Sequence, residues 1–491
     1  MRCGTGLPNW QGCRKMFDQR HLHPSAALIM GVRAVRQFIF PFIILLGTQI
    51  GNLGLTGWLI WAVWATVALV SLAAIWGILS WRRFTYRVEG GELRIEHGVF
   101  IRSRRFIPQE RIHSIDLVES VLHRIFGVVS VRVETAGGGE PEGLLTAVSR
   151  VDAEELRRIL TEKRSAEAAE EEKTEASFTR RVTVPELLIA GATSGSIGIF
   201  FSLAGGAASF IDDLLPNINI FEQIDRFIGS GTTATLILWL AVIALIMAWL
   251  VAVIFTVIKY GRFQIKRIED DLVIERGMLE RRRSTIPLAR VQAVRVSEGI
   301  LRQPFGFATI HVESAGYGQE DGESTVLFPL LRIQEVVPFL SEAVPEFVRT
   351  ETPFTRLPAR ARSRAIIRAL IPAAIVAAAI SFFMFPWGLF SLVLLPLAVM
   401  YGLLRYRDAG WFVTHDRVVM RWRSLARTTA IVTKRRIQSS GMSQSLFQRR
   451  KNLATFWVQV ASGSVGAKFN MTDMDKQESE ACFEWASLSH K

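Results

Sequence analysis

The chain has 491 residues, 49% of them hydrophobic, with a mean hydropathy of +0.26, which excludes an ordinary soluble enzyme and points to a membrane protein. Its 58 Lys and Arg against 45 Asp and Glu give a net charge of +13, so the charge must be gathered into segments that alternate with uncharged ones. Cys3, Cys13 and Cys482 are too few for a disulfide framework and lack the C-x-x-C spacing of a zinc or dithiol motif.

Residues 1–35 carry several Arg and His ahead of the first apolar stretch near Leu28 and show no small-residue cleavage site. They read as cytoplasmic sequence, with translation starting at Met1 or Met16. His21 and His23 have the spacing of a weak metal pair and are read as interfacial. Between Arg36 and Arg82 lie 45 residues without Asp, Glu, Lys or Arg, about twice the ~20 needed for one span. This predicts a helical hairpin over 36–81, followed by a polar domain at 82–160 and an acidic linker at 161–186. A second hairpin at 187–258 and domain at 259–345 follow, then a linker at 346–364, a third hairpin at 365–404 and a last domain at 405–491. Six transmembrane helices are expected. Arg33 and Arg36, Arg82 and Arg83, Arg180 and Arg181, Lys259 and Arg262, and Arg405 and Arg407 crowd the hairpin flanks, while the hairpin loops are neutral or acidic. The positive-inside rule therefore places both termini and all three domains in the cytoplasm of a multi-pass plasma-membrane protein. Gly191 with Gly195, and Ser194 with Gly198, stand at i, i+4 and predict close helix packing.

The sequence repeats. Arg83–Gly137 matches Arg262–Gly316 without gaps at an offset of 179, with 19 of 55 positions identical, and a diverged third copy lies at an offset of 325. Val129, Val131 and Val133 alternate with Ser130, Arg132 and Glu134, the period of a half-buried strand. Helices are expected at Val151–Leu160, Ile333–Leu340 and Asp473–Ala486, closing the three domains. In the third copy Arg423 replaces a glycine and Thr433 a proline, so its turns should differ.

The order HLHP, a hairpin, IPQERIHSIDLVESVLHRIFG, then IPLARVQAVRVSEGILRQPFG and TKRRIQSSGMSQSLFQRRKNLATFWV resembles the bacterial membrane proteins with PH-like domains, the YdbS/YdbT family. Three copies are similar to the YdbT type. The resemblance implies membrane α-helical hairpins alternating with three PH-like antiparallel β domains, each closed by a C-terminal helix. For function it implies envelope homeostasis or tolerance of membrane-active peptides.

Arginine clusters are the constellation with chemical content. Copy one holds Arg102, Arg104, Arg105 and Arg111; copy two holds Arg281, Arg282, Arg283 and Arg290. Copy three has Arg421, Arg423, Arg427, Lys434, Arg435 and Arg436, and from Arg405 to Lys451 reaches a net +10 against +3 for the others. Contact with anionic headgroups is expected for copy three, and solvated strand faces or topology signals for copies one and two. Pro108 to Arg111 and Pro287 to Arg290 repeat a Pro-x-x-Arg turn, with a structural role or a phosphate-gripping one. No catalytic, metal or cofactor motif appears, and nucleic acid lacks a recognisable module. The reading is a lipid- or protein-binding adaptor, with membrane lipids and a shorter single-copy family member as partners. A transporter or exporter subunit is the first alternative, disfavoured by span interiors without ionisable residues, and a lipid-modifying enzyme the second.

Overall fold

The computed structural model describes residues 17–32, 35, 50–89, 91–135, 143–168, 177–193, 233–315, 325–348, 353–383, 385–462 and 466–487. Strand β1 (Phe17–His21) and a helix over 25–32 (α1) precede the long helix α2 (Ile50–Arg82). Then come β2 (Thr85–Glu89), β3 (Glu92–His97), β4 (Ser103–Pro108), β5 (Ile112–Glu119), the short α3 (Val121–Ile125), β6 (Val128–Thr135), β7 (Gly143–Ser149) and α4 (Arg150–Ala168). The second unit runs β8 (Phe178–Arg181), α5 (Val184–Ala192), α6 (Thr233–Tyr260), β9 (Gln264–Ile268), β10 (Asp271–Arg276), β11 (Arg281–Pro287), β12 (Val291–Glu298), β13 (Phe307–Ser314), β14 (Thr325–Arg332) and α7 (Val336–Ala343). The third runs β15 (Thr355–Arg356), α8 (Ala359–Phe383), α9 (Leu394–Asp408), β16 (Gly410–Val413), β17 (Arg417–Arg423), β18 (Arg427–Thr433), β19 (Ile437–Ser443), α10 (Leu446–Arg449), β20 (Leu453–Val460), β21 (Ala467–Asp475) and α11 (Lys476–Ser487). Alternation in sequence becomes alternation in space: Val131 and Val133 of β6 enter a core with Ala153 and Leu156 of α4.

The sheets cross the domain boundaries. Two seven-stranded sheets run β7-β6-β5-β11-β10-β9-β8 and β14-β13-β12-β18-β17-β16-β15, and the ends of the array carry β1-β2-β3-β4 and β19-β20-β21. Each joint is antiparallel. β5 meets β11 with Glu119 opposite Arg281 and Leu117 opposite Arg283, and β12 meets β18 from Ala293 opposite Val432 to Glu298 opposite Arg427. Because Glu119 and Glu298 are equivalent positions, as are Arg281 and Arg427, the two joints share one register. The cores follow the sheets: Phe412, Val419 and Ile431 of the third domain pack into the core of the second, and Ala293 of the second into that of the third.

Several expectations change. The segment 161–186 read as a linker contains the end of α4 and β8, and 346–364 contains β15 and the start of α8. These strands, like β1, pair beside the strand that follows their hairpin: His21 lies opposite Thr85, Arg181 opposite Gln264 and Arg356 opposite Gly410. The closing helix of the third domain begins at Lys476, not Asp473, because β21 runs to Asp475. Gly98 and Gly277 sit at positive φ, and a Cβ there would lie 1.9 Å from Ile101 O and 1.8 Å from Glu280 O. With arginine at that position, β17 instead continues through Arg423 and turns over 424–426.

Val63–Arg82, Ala359–Phe383 and Gly388–Asp408 are long and apolar enough to cross a membrane, and Leu245–Tyr260 is a shorter apolar helix. Residues 36–49 and 194–232 of the expected spans, with Ser194, Gly195 and Gly198, lie outside the described residues. Gly191 lies against α6, where an added Cβ would be 3.0 Å from Val253 Cα. Gly402 does the same for the third hairpin, at 2.6 Å from Ile366 Cα.

The shared core makes Ile431→Ala, at a buried position of β18, a test of coupling between domains. It should cost about 2–5 kcal/mol, and hydrogen exchange should accelerate in β12 as well as in β17 and β18. Loss of protection confined to the third domain would contradict a shared core.

Candidate functional site: an arginine-lined cleft at the domain joint

Strands β2, β9 and β16 start within a few residues of the ends of α2, α6 and α9, and the β-hairpin tips return to the same level. In the second unit Gly277 N donates to Gly261 O at 2.8 Å and Met278 N to Ile258 O at 3.0 Å. β11 therefore starts beside the span ends, and β5, running antiparallel to it, finishes there. A row of apolar side chains is exposed at this level: Phe100 and Ile101 at 86% and 85%, Leu425 at 71%, with Leu279, Ile125, Phe305 and Phe447 beside them in the fold. The Trp76 ring of α2 lies 5.7 Å from Phe100.

At this same end, the first joint opens into a cleft of about 610 Å³, within the usual range for ligand sites. Its lining holds Arg150, Arg181, Arg262, Arg276, Arg281, Arg282 and Arg283 against Glu119, Glu154 and Glu275. Arg181 ends β8 just before α5, and Arg262 follows α6, which packs on α5, so the two helices place an arginine at each side of their base. Around the cleft, Arg150 donates to Glu119, which holds the guanidinium above its usual range. Arg282 lies 3.5 Å from the buried Asp116, which also accepts from Ser284 Oγ at 3.0 Å. Arg283 is 3.6 Å from Glu275. No ion pair within the described residues engages Arg181, Arg262 or Arg281, and all three are exposed. Positive charge is thus in excess at the mouth, where a phosphate could be gripped by planar guanidinium groups.

The other sequence-predicted cations have different settings. Arg102 and Arg104 lie at the free end of the array, Arg104 3.5 Å from Glu96. Lys434, Arg435 and Arg436 follow β18 at the end away from the spans, seven residues from its start, or about 23 Å at roughly 3.3 Å per residue. Arg435 pairs with Glu346 at 3.0 Å, Arg436 donates to Ala289 O at 2.5 Å, and Lys434 Nζ lies 5.2 Å from the Trp485 ring. Arg290 likewise reaches back across the first joint to Ile112 O at 3.4 Å, whereas Arg111 is exposed. Arg421 stacks 4.1 Å over Phe354, and Arg427 grips Glu298, which raises its pKa. Arg423 is buried against Asp408 and donates to Gln303 Oε1 at 2.5 Å. Arg423, Arg427, Arg435 and Arg436 are therefore spent on contacts across the second joint, and Arg421 and Lys434 on contacts within the third unit.

Two features escaped the sequence reading. Arg181 and Arg262 looked like topology signals only. Arg302 donates to Thr193 Oγ1 at 3.0 Å and Ala190 O at 3.0 Å, fastening the second domain to the end of α5, and burial lowers its pKa. His23 proves to be a turn residue: its N–H donates to Ala147 O at 3.0 Å and its ring meets Ser25 Oγ at 2.9 Å.

The chain matches the bacterial PH domain family three times, over residues 38–164, 227–351 and 366–488. It is 33% identical over 495 residues to the transmembrane protein YdbT of Bacillus subtilis (strain 168), an alignment spanning 96% of this chain and 99% of the relative. No solved structure matches.

The setting of Arg423 gives an expected outcome for Arg423→Met. Removing one member of the buried pair strands Asp408 and should cost about 3–5 kcal/mol. Denaturant unfolding in detergent reads this directly, and a change under about 1 kcal/mol would refute the structural role.

Proposed function

The chain belongs to the bacterial PH domain family as a three-repeat transmembrane protein of the YdbT type, and from that premise we propose that it is a membrane-anchored adaptor that binds anionic phospholipid headgroups in the cleft between its first two PH-like domains. The observation that carries this reading is the excess of arginine at the cleft mouth, at the level of the span ends and beside exposed apolar tips. Apolar tips that enter the headgroup layer would hold the domains flat against the membrane, and each arginine near an anionic surface adds about 1 kcal/mol. In this reading six spans carry the array, the domains face the cytoplasm, and the adaptor serves envelope homeostasis or tolerance of membrane-active peptides.

Full-length protein in nanodiscs containing phosphatidylglycerol should retain that lipid through detergent exchange. The triple change Arg181→Gln, Arg262→Gln and Arg281→Gln should weaken retention by about 1 kcal/mol per side chain and flatten its salt dependence. Lys434→Gln with Arg435→Gln should leave it nearly unchanged. Equal effects of the two sets would refute the cleft as the lipid site.

The orientation has its own test in a background with Cys3 and Cys13 replaced. Cysteine placed at Gln477 should be shielded from impermeant thiol reagents in intact cells, and cysteine at Asn217 labelled. The reverse pattern would overturn the cytoplasmic placement.

A further inference from the structure

The two joints obey one rule, and the array ends with the halves of a third. At each joint the strand that ends a domain's first sheet, β11 or β18, pairs with the strand that begins the previous domain's second sheet, β5 or β12. The corresponding strands at the two ends are β4 and β19, and among the described residues neither has a partner on its outer edge.

Three observations say that these edges fit one another. The shared register places Ser103 opposite Ser443, Arg104 opposite Met442 and Phe106 opposite Ser440, because Ser103 is equivalent to Thr428 and Ser443 to Ser297, which face each other in the second joint. The strand shapes also agree: β19 bulges against β20 between Ile437 and Ser439, as β5 does between Ile112 and Ser114 and β12 between Val291 and Ala293. Finally, β4 carries the signs of an uncovered joint. Phe106 is 55% exposed, whereas its counterpart Ile431 is 1% exposed. Arg111 is exposed, whereas its counterparts Arg290 and Arg436 reach across their joints to backbone carbonyls.

The side chains permit the pairing. β19 has no charged residue to oppose Arg104 and Arg105, and at the position of Glu119 and Glu298 it is followed by Gln444, a neutral acceptor for Arg102. An unpaired edge of this kind is a template for another chain. Since β4 and β19 are different surfaces, the contact is heterologous and propagates head to tail.

We propose that this protein assembles head to tail with a second copy of itself, β19 of one chain pairing with β4 of the next in the register of the internal joints. The assembly is a continuous row of PH-like domains along the membrane. Its free edges lie only at the ends of the row, or nowhere if the row closes.

Disulfide trapping in native membranes tests the register. In a background with Cys3 and Cys13 replaced by serine, full-length chains carrying Ser103→Cys and Ser443→Cys should form a ladder of linked multimers on mild oxidation, with loss of the monomer band. Adjacent pairs alternate between wide and close spacing across an antiparallel ladder, so Arg104→Cys with Met442→Cys is tested alongside. One of the two pairs should link more readily. Co-expressed single-cysteine chains, Ser103→Cys with Ser443→Cys, should give dimers that neither gives alone. Ser297→Cys with Thr428→Cys, the same pair inside one chain, should close without any increase in mass and shows that the geometry is reactive. The proposal is overturned if that control closes while the monomer persists in both test pairs, or if out-of-register Ser103→Cys with Gln438→Cys links equally well. It also fails if either single cysteine links to itself, or if the linked product joins this chain to a smaller protein rather than to a second copy.

Discussion

Backbone hydrogen bonding across the domain boundaries is the constraint on which the rest of this molecule depends. A PH-like unit with one sheet edge open exposes a row of amide and carbonyl groups, and here each internal edge is satisfied by the neighbouring unit. Once the strands are paired, side-chain packing cannot remain local. Ile431 and Phe412 complete the core of a domain to which they do not belong in sequence, and Ala293 does so in the other direction. The β domains of the three repeats are therefore one continuous body, with the apolar helices fixed to it at intervals.

The two joints use the same rule to different extents. The first pairs three residues of β5 with β11, and the second pairs six of β12 with β18. Across the longer ladder Arg427 pairs with Glu298 and Arg435 with Glu346, while Arg423 pairs with Asp408 and Arg421 stacks on Phe354 within the third unit. The shorter one leaves a cleft whose arginines outnumber its glutamates. The longer joint thus goes with cations engaged by protein groups, and the shorter with exposed arginines that no ion pair within the described residues engages. The distinction is geometric, since the side chains are of the same kind in both places.

Much of the architecture was legible from charge alone. The uncharged run at 369–404 falls on the paired helices α8 and α9, and the offsets of 179 and 325 superpose the first five strands that follow the apolar segment in each copy to within one residue, as with Ile112, Val291 and Ile437 at the starts of β5, β12 and β19. Strands β8 and β15 were not legible, because Phe-Thr-Arg-Arg and Thr-Arg are too short to show a period and carry charges that mimic a membrane flank. The joints were hidden for a different reason: their strands are far apart in sequence, and no local pattern marks an edge strand as paired with a distant one. The fate of the basic cluster at Lys434–Arg436 was partly inferable. A strand that begins at a membrane-near tip must carry its last residues away from the membrane, so composition misplaced a charge that strand direction would have located.

The strand that precedes each hairpin has a consequence for how the protein is made. In the third unit β15 is synthesised first, α8 and α9 follow, and only then does the ribosome deliver β16, the strand with which β15 pairs. The sheet cannot close until both apolar helices have been threaded into the bilayer with their outer ends on the same side. A helix pair in which only one member crossed would leave β15 and β16 on opposite faces of the membrane. Completion of each PH-like domain is thereby conditional on integration of the whole apolar segment it encloses, so the fold itself acts as a checkpoint on membrane insertion.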